Sequence, residues 1–186
     1  MFSSILHNLT DFFKSQIKNE LIRPIIGGLM VALAVYLLND TQFIGLGIPT
    51  IVSSFTETQV WYVFFLKIVF TTLTIATGFK GGEVTPLFFI GATLGSALSA
   101  FLPLPVALLS GMGFVAVFAG ATNTPIACLL MGIELFGSSS AVYIAIAVMV
   151  AYIFSGHTGI YLNQVIGEPK NQRLDQQKDK NLKELL

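Results

Sequence analysis

The chain has 186 residues, 54% of them hydrophobic and 11% charged, with a mean hydropathy of +0.77. Soluble domains carry about 25% charged residues, so a water-facing globule is excluded. The ten Lys/Arg balance the ten Asp/Glu, which leaves no basic surface for nucleic acid.

The composition predicts an all-α, polytopic membrane protein in three parts: an amphipathic segment over 1–23, a transmembrane domain over 24–168 and a polar tail over 169–186. In the first part Ile5, Leu6, Leu9, Phe12, Phe13, Ile17 and Leu21 recur at helical spacing between Asp11, Lys14, Lys18 and Glu20. That pattern predicts an amphipathic helix at the membrane surface. Met1–Arg23 lacks the apolar core and small-residue cleavage site of a signal peptide.

Between Pro24 and Pro169 the charged residues are Asp40, Glu57, Lys67, Lys80, Glu83, Glu134 and Glu168. The apolar segments there are Pro24–Leu38, a short piece near Ile44–Ser54, Val60–Ala76, Thr85–Leu102, Pro105–Gly120, Pro125–Phe136, Ala141–Ser155 and Ile160–Ile166. Most fall short of the roughly 20 residues that cross a bilayer. Several start at proline or follow glycine. Broken helices are tolerated at membrane depth only where they line a cavity or an ion site, which points to a channel or transporter. Gly91, Gly95 and Ser99, and less clearly Gly113 and Val117, have the four-residue spacing of close helix packing.

The tail, Lys170–Leu186, holds five Lys/Arg and reads as a solvated helix or a disordered segment. Basic residues at both ends place both termini in the cytoplasm of a multi-pass cell-membrane protein. Cys128 sits in an apolar run as a small buried hydrophobe. His7 and His157 lack metal-ligand spacing, and no cofactor is expected.

The chemically pointed stretch is GFKGGEVTP, Gly78–Pro86. Gly81-Gly82 before and Pro86 after make Glu83–Thr85 a helix N-terminus, whose free amides and dipole favour an anion. Glu83 itself has two readings. It is a helix cap at the interface, or a titratable carboxyl beside an anion site, since intramembrane carboxyls cost roughly 2.5–3.5 kcal/mol and default to function.

GGEVTP followed by LFFIGATLGSAL resembles the second signature of the CLC chloride channels and exchangers, usually written GxFxP. MGFVAVFAGATNTPIACLLMGIELFG resembles that family's paired helices. GHTGIYLNQVIGEP resembles the start of its last membrane helix, and RPIIGG the entry of an earlier one. The resemblance implies the second inverted repeat of a CLC-type fold. It assigns the Glu83 and Val84 amides to a central anion and the Val84 and Thr85 amides to an outer site, and counts Gly82 among the anion-binding residues. It puts Tyr161 in the place of a tyrosine whose hydroxyl faces the anion. It also implies a homodimer, through Pro125–Phe136 and Ala141–Ser155.

Two departures matter. Val84 stands for the usual Phe, and Glu83 for an apolar residue, a version that resembles the branch exchanging fluoride for protons, with Glu83 as the proton-coupling candidate. The first-half motifs GSGIP and GKEGP are absent from the sequence. IGLGIPT, Ile44–Thr50, echoes the former with Leu46 in place of serine, as an inverted repeat would. The leading expectation is therefore fluoride/proton antiport by a complete protein of which this is the C-terminal half. Halide and protons are then the partners, along with lipid and the missing N-terminal half. A chloride channel or chloride/proton exchanger, and an assembly module or inactive fragment, remain as alternatives. A membrane enzyme lacks support, with no Ser–His pair, HExxH or clustered aspartates.

Overall fold

Eight α-helices run through residues 2–185, the part of the chain that the computed structural model describes. They are α1 (Phe2–Gln16), α2 (Ile22–Leu38), α3 (Ile48–Ser53), α4 (Tyr62–Ala76), α5 (Val84–Leu98), α6 (Val106–Thr122), α7 (Pro125–Phe136) and α8 (Ala141–Phe154). Met1 and Leu186, the outermost residues of the two terminal segments, lie outside the described residues.

Local chemistry sets the ends. Pro49 and Pro125 stand in the first turns of α3 and α7, where the missing N–H is no loss and φ is already helical. Asn39 and Asn123 close α2 and α6 in the left-handed conformation, at φ 49° and 57°, and Gly137 ends α7 at φ 84°. The longest helices, α2 and α6, have 17 residues, about 26 Å of rise against a hydrocarbon core of about 30 Å. Among the described residues no helix is long and apolar enough to cross a membrane.

α5 and α6 form the central pair, and their contact is the most extensive in the molecule. α3 and α4 pack on α5, α1 and α2 on α4, and α7 and α8 on α6. Glycine makes the central contact possible. A methyl at Gly91 would strike the Gly113 carbonyl, one at Gly113 the Gly91 carbonyl, and one at Gly95 the carbonyl of Leu109. Ser99, third in the small-residue series, instead bonds the Thr58 hydroxyl at 2.8 Å. Beside the glycines Phe88 of α5 stacks on Phe114 of α6, with ring centroids 4.1 Å apart.

Three apolar clusters hold the layers together. Phe43, Ile51, Phe70 and Phe89 join α3, α4 and α5. Val115, Cys128, Ile144 and Val148 join α6, α7 and α8. Leu6 and Phe13 seat α1 on Ala76 of α4. The amphipathic N-terminal helix thus ends at Gln16, and its apolar stripe is partly spent on the protein itself. Ser3 also donates to Gly159 O at 2.7 Å.

Hydroxyls replace water around the unwound link between α3 and α4. Ser96 Oγ donates to Glu57 O at 2.7 Å and accepts from the Gln59 N–H at 2.9 Å. Ser110 Oγ donates to Ser54 O at 2.5 Å.

The C-terminal region departs from the sequence reading. Residues 160–166 form no helix. Val165 instead pairs antiparallel with Asn181, and the tail folds back in short 3-10 turns at Gln172–Gln177 and Leu182–Leu185. The seven-residue apolar run offers too few turns to sustain a helix alone. The returning tail supplies the backbone partners that a helix would have supplied internally.

Candidate functional site

The GGEVTP turn lies where the sequence places it. Glu83 is the N-cap of α5, with φ −90° and ψ −17°, and its carbonyl accepts the Leu87 N–H at 3.1 Å as the first helical bond. The Val84 and Thr85 amides head the helix without intrahelical acceptors, and Pro86 has no N–H to leave unpaired. The positive end of the dipole therefore falls on Glu83–Thr85. At both Gly81 and Gly82 an added methyl would meet nothing within 4 Å, so backbone is the only surface the turn presents there.

The Glu83 side chain does not cap the helix. It makes no cap hydrogen bond, and its Oε2 is buried without a partner among the described residues. Such a group costs roughly 1–3 kcal/mol or more, so the interfacial-cap reading loses its physical basis. His7 of α1 lies within Coulomb range of this carboxyl, and its Nδ1 is bonded to Ser3 O at 3.1 Å.

Beside the turn is a cavity of about 320 Å³, walled by Gly81, Gly82 and Pro86, by Thr71 and Thr74 of α4, and by the loop Phe43–Leu46. That loop leads into α3 through the IGLGIPT stretch, with Gly45 and Gly47 at φ 61° and 70°. Lys67, 1% exposed, holds it in place. Its ammonium donates to Phe43 O at 3.0 Å and Gly45 O at 2.7 Å, and lies 4.7 Å from the centre of the Phe89 ring on α5. Unwound backbone at membrane depth leaves carbonyls to be satisfied, and Lys67 satisfies two.

Tyr161 sits apart. The residue is 50% exposed, and it borders a shallow pocket formed by itself and its neighbours Ile160–Gln164. Among the described residues nothing hydrogen-bonds its hydroxyl. Gly82, Glu83, Val84 and Thr85 thus form one turn, while Tyr161 lies on a separate loop. α1 reaches the second region through Ser3, which donates to Gly159 O.

Residues 1–156 match the family model described as voltage gated chloride channel. The chain belongs to that family. It is a family of membrane transport proteins, not of enzymes, and its fold is polytopic and helical. A chloride/fluoride channel protein of Pseudomonas syringae pv. tomato is 49% identical over 93% of this chain and 40% of its own length. An uncharacterized protein of Methanocaldococcus jannaschii is 28% identical over 70% of this chain and 34% of its own. A crystal structure of a CLC-type fluoride/proton antiporter superposes with a TM-score of 0.82 at 38% identity, over 86% of this chain and 41% of that one. The chain therefore spans about two fifths of the length of the relatives it matches most extensively.

Two residues of this voltage-gated chloride channel homologue escaped the sequence reading. His7 gave no signal, because nothing in its spacing points at Glu83. Lys67 did give one, as a lone lysine in the run Tyr62–Ala76; its carbonyl partners lie more than twenty residues upstream.

Proposed function

We propose that this chain forms the second inverted repeat of a CLC-type fluoride/proton antiporter. The α5 N-terminus at Gly82–Thr85 then contributes amides to the anion site, and Tyr161 contributes its hydroxyl. Glu83 carries the coupled proton. The observation that carries this reading is the Glu83 carboxyl, set at a helix N-terminus without a cap bond and with its buried Oε2 unpartnered among the described residues. A group so placed is stabilised by protonation when an anion approaches and by the helix dipole when the anion leaves. The likeness to the crystal structure of a CLC-type fluoride/proton antiporter supports the choice of anion.

Transport is a property of the complete protein, because a pathway between inverted repeats is walled by both. The orientation with both termini cytoplasmic, and a homodimer through α7 and α8, belong to the same reading. Ile126 and Leu130 of α7 and Val142 and Ile146 of α8 stand exposed and apolar, as that interface requires.

The test is paired fluoride and proton flux from liposomes holding the complete protein. Glu83→Gln is expected to abolish or uncouple proton movement while leaving thermal stability unchanged or raised, since no cap bond is lost. Coupled proton flux at the wild-type ratio in the Gln variant would refute the role of Glu83. Coupled chloride flux exceeding fluoride flux would favour a chloride exchanger instead.

A further inference from the structure

Lys170 joins the ends of two helices. Its ammonium donates to Asn123 Oδ1 at 2.5 Å, Ser155 Oγ at 2.9 Å and Gly156 O at 2.6 Å, and lies 4.0 Å from the centre of the Tyr152 ring. Asn123 is the C-cap of α6 and Ser155 the C-cap of α8, so the cation sits where both dipoles end negative. Its backbone N–H donates to His157 Nε2 at 3.1 Å. That bond leaves the proton on Nδ1, which donates to Gln177 Oε1 at 2.9 Å.

These bonds close the loop from His157 to Lys170, and Tyr161 rides on it. On one side the Ile160 N–H donates to Ala121 O at 2.9 Å, at the end of α6. On the other the tail is laid along the loop. Lys183 N donates to Leu162 O at 3.0 Å, Leu182 N to Gln164 O at 3.1 Å, Ile166 N to Lys180 O at 3.0 Å and Asp179 N to Ile166 O at 2.8 Å. Ile166 and Leu182 are both buried. The residues flanking Tyr161 are thus tied to α6 and to the tail, while its own hydroxyl has no hydrogen-bond partner among the described residues.

We propose that residues 170–185 are a clasp that sets the position of Tyr161, with Lys170 as its fastening. Lys170 touches no part of the anion site and acts as a positioning residue. This inference rests on Tyr161 being an anion ligand, and its test separates the two claims.

Hydrogen exchange on the 186-residue chain in lipid nanodiscs reads the clasp without any anion. Lys170→Met, and separately Leu182→Ala in case the first variant misfolds, are expected to speed exchange at the Ile166, Leu182 and Lys183 amides at least tenfold. Exchange in α5 and α6 should stay unchanged. In the complete protein Lys170→Met is expected to raise the fluoride concentration for half-maximal flux several-fold, to change the maximal rate less, and to add nothing in a Tyr161→Phe background. Unchanged exchange in both variants overturns the clasp. Additive effects with Tyr161→Phe overturn the positioning of Tyr161. A silent Tyr161→Phe removes the ligand reading, and the clasp is then judged by exchange alone.

Discussion

Alanine at Gly91 or Gly95 tests how closely α5 and α6 are joined, and thereby what fixes the helix that carries the GGEVTP turn. A methyl at Gly91 would stand 2.8 Å from the Gly113 carbonyl carbon and 2.9 Å from Phe114 Cα. At Gly95 it would stand 2.7 Å from the Leu109 carbonyl carbon and 3.0 Å from Ser110 Cα. Ordinary carbon–carbon contacts lie at about 3.5–4.0 Å, so the two helices must part by roughly 1 Å. All of these neighbours are backbone, and no rotamer change relieves them. Overpacking of this kind costs about 1–3 kcal/mol. Glycine to alanine inside an unobstructed helix would instead gain up to about 1 kcal/mol, so the sign of the change is diagnostic. Unfolding by a denaturing detergent, followed by circular dichroism, should show both variants less stable than wild type. Gly81→Ala, with open space before it, should be nearly neutral. Wild-type or greater stability in both helix variants would refute the close approach.

Two further outcomes are expected. Lys67→Met leaves Phe43 O and Gly45 O without their donor, at about 1–3 kcal/mol for each carbonyl. The end of ammonium burial offsets part of this, so a net loss of about 1–3 kcal/mol should appear in the same titration; an unmoved midpoint would show that those carbonyls do not depend on Lys67. For the proposed dimer, single cysteines along Ile133–Ile144, in a chain with Cys128 replaced by serine, should trap cross-linked pairs in membranes. A complete absence at every position would count against an interface on α7 and α8.

The helices were legible where the chain punctuates itself. α7 begins at Pro125 and stops before Gly137, and α5 begins beside GGEVTP, because proline and glycine act on the backbone one residue at a time. The placement of Glu83 at a helix N-terminus followed from the same local rules. Its unpartnered oxygen did not, since that depends on what other helices leave unfilled around it. Nor did the docking of α1: its periodicity marks an apolar stripe, but Ala76 lies some sixty residues further on. The tail was misread because its partners are backbone groups of residues 162–166, and irregular backbone pairing leaves no side-chain periodicity to betray it. Tyr161 became a candidate only through a resemblance to a family motif, while the bonds that hold its loop are visible only in three dimensions.

The serines around the α3–α4 link bear on the order in which the chain can settle during synthesis. The carbonyls of Ser54 and Glu57 receive their hydroxyl donors from Ser110 and Ser96, separated from them by 56 and 39 positions. A ribosome delivers the acceptors well before the donors. Until α5 and the start of α6 arrive, those two oxygens have only water to accept from, and hydrocarbon offers none. The link must therefore wait at a wet surface, and its burial is an act of the later helices.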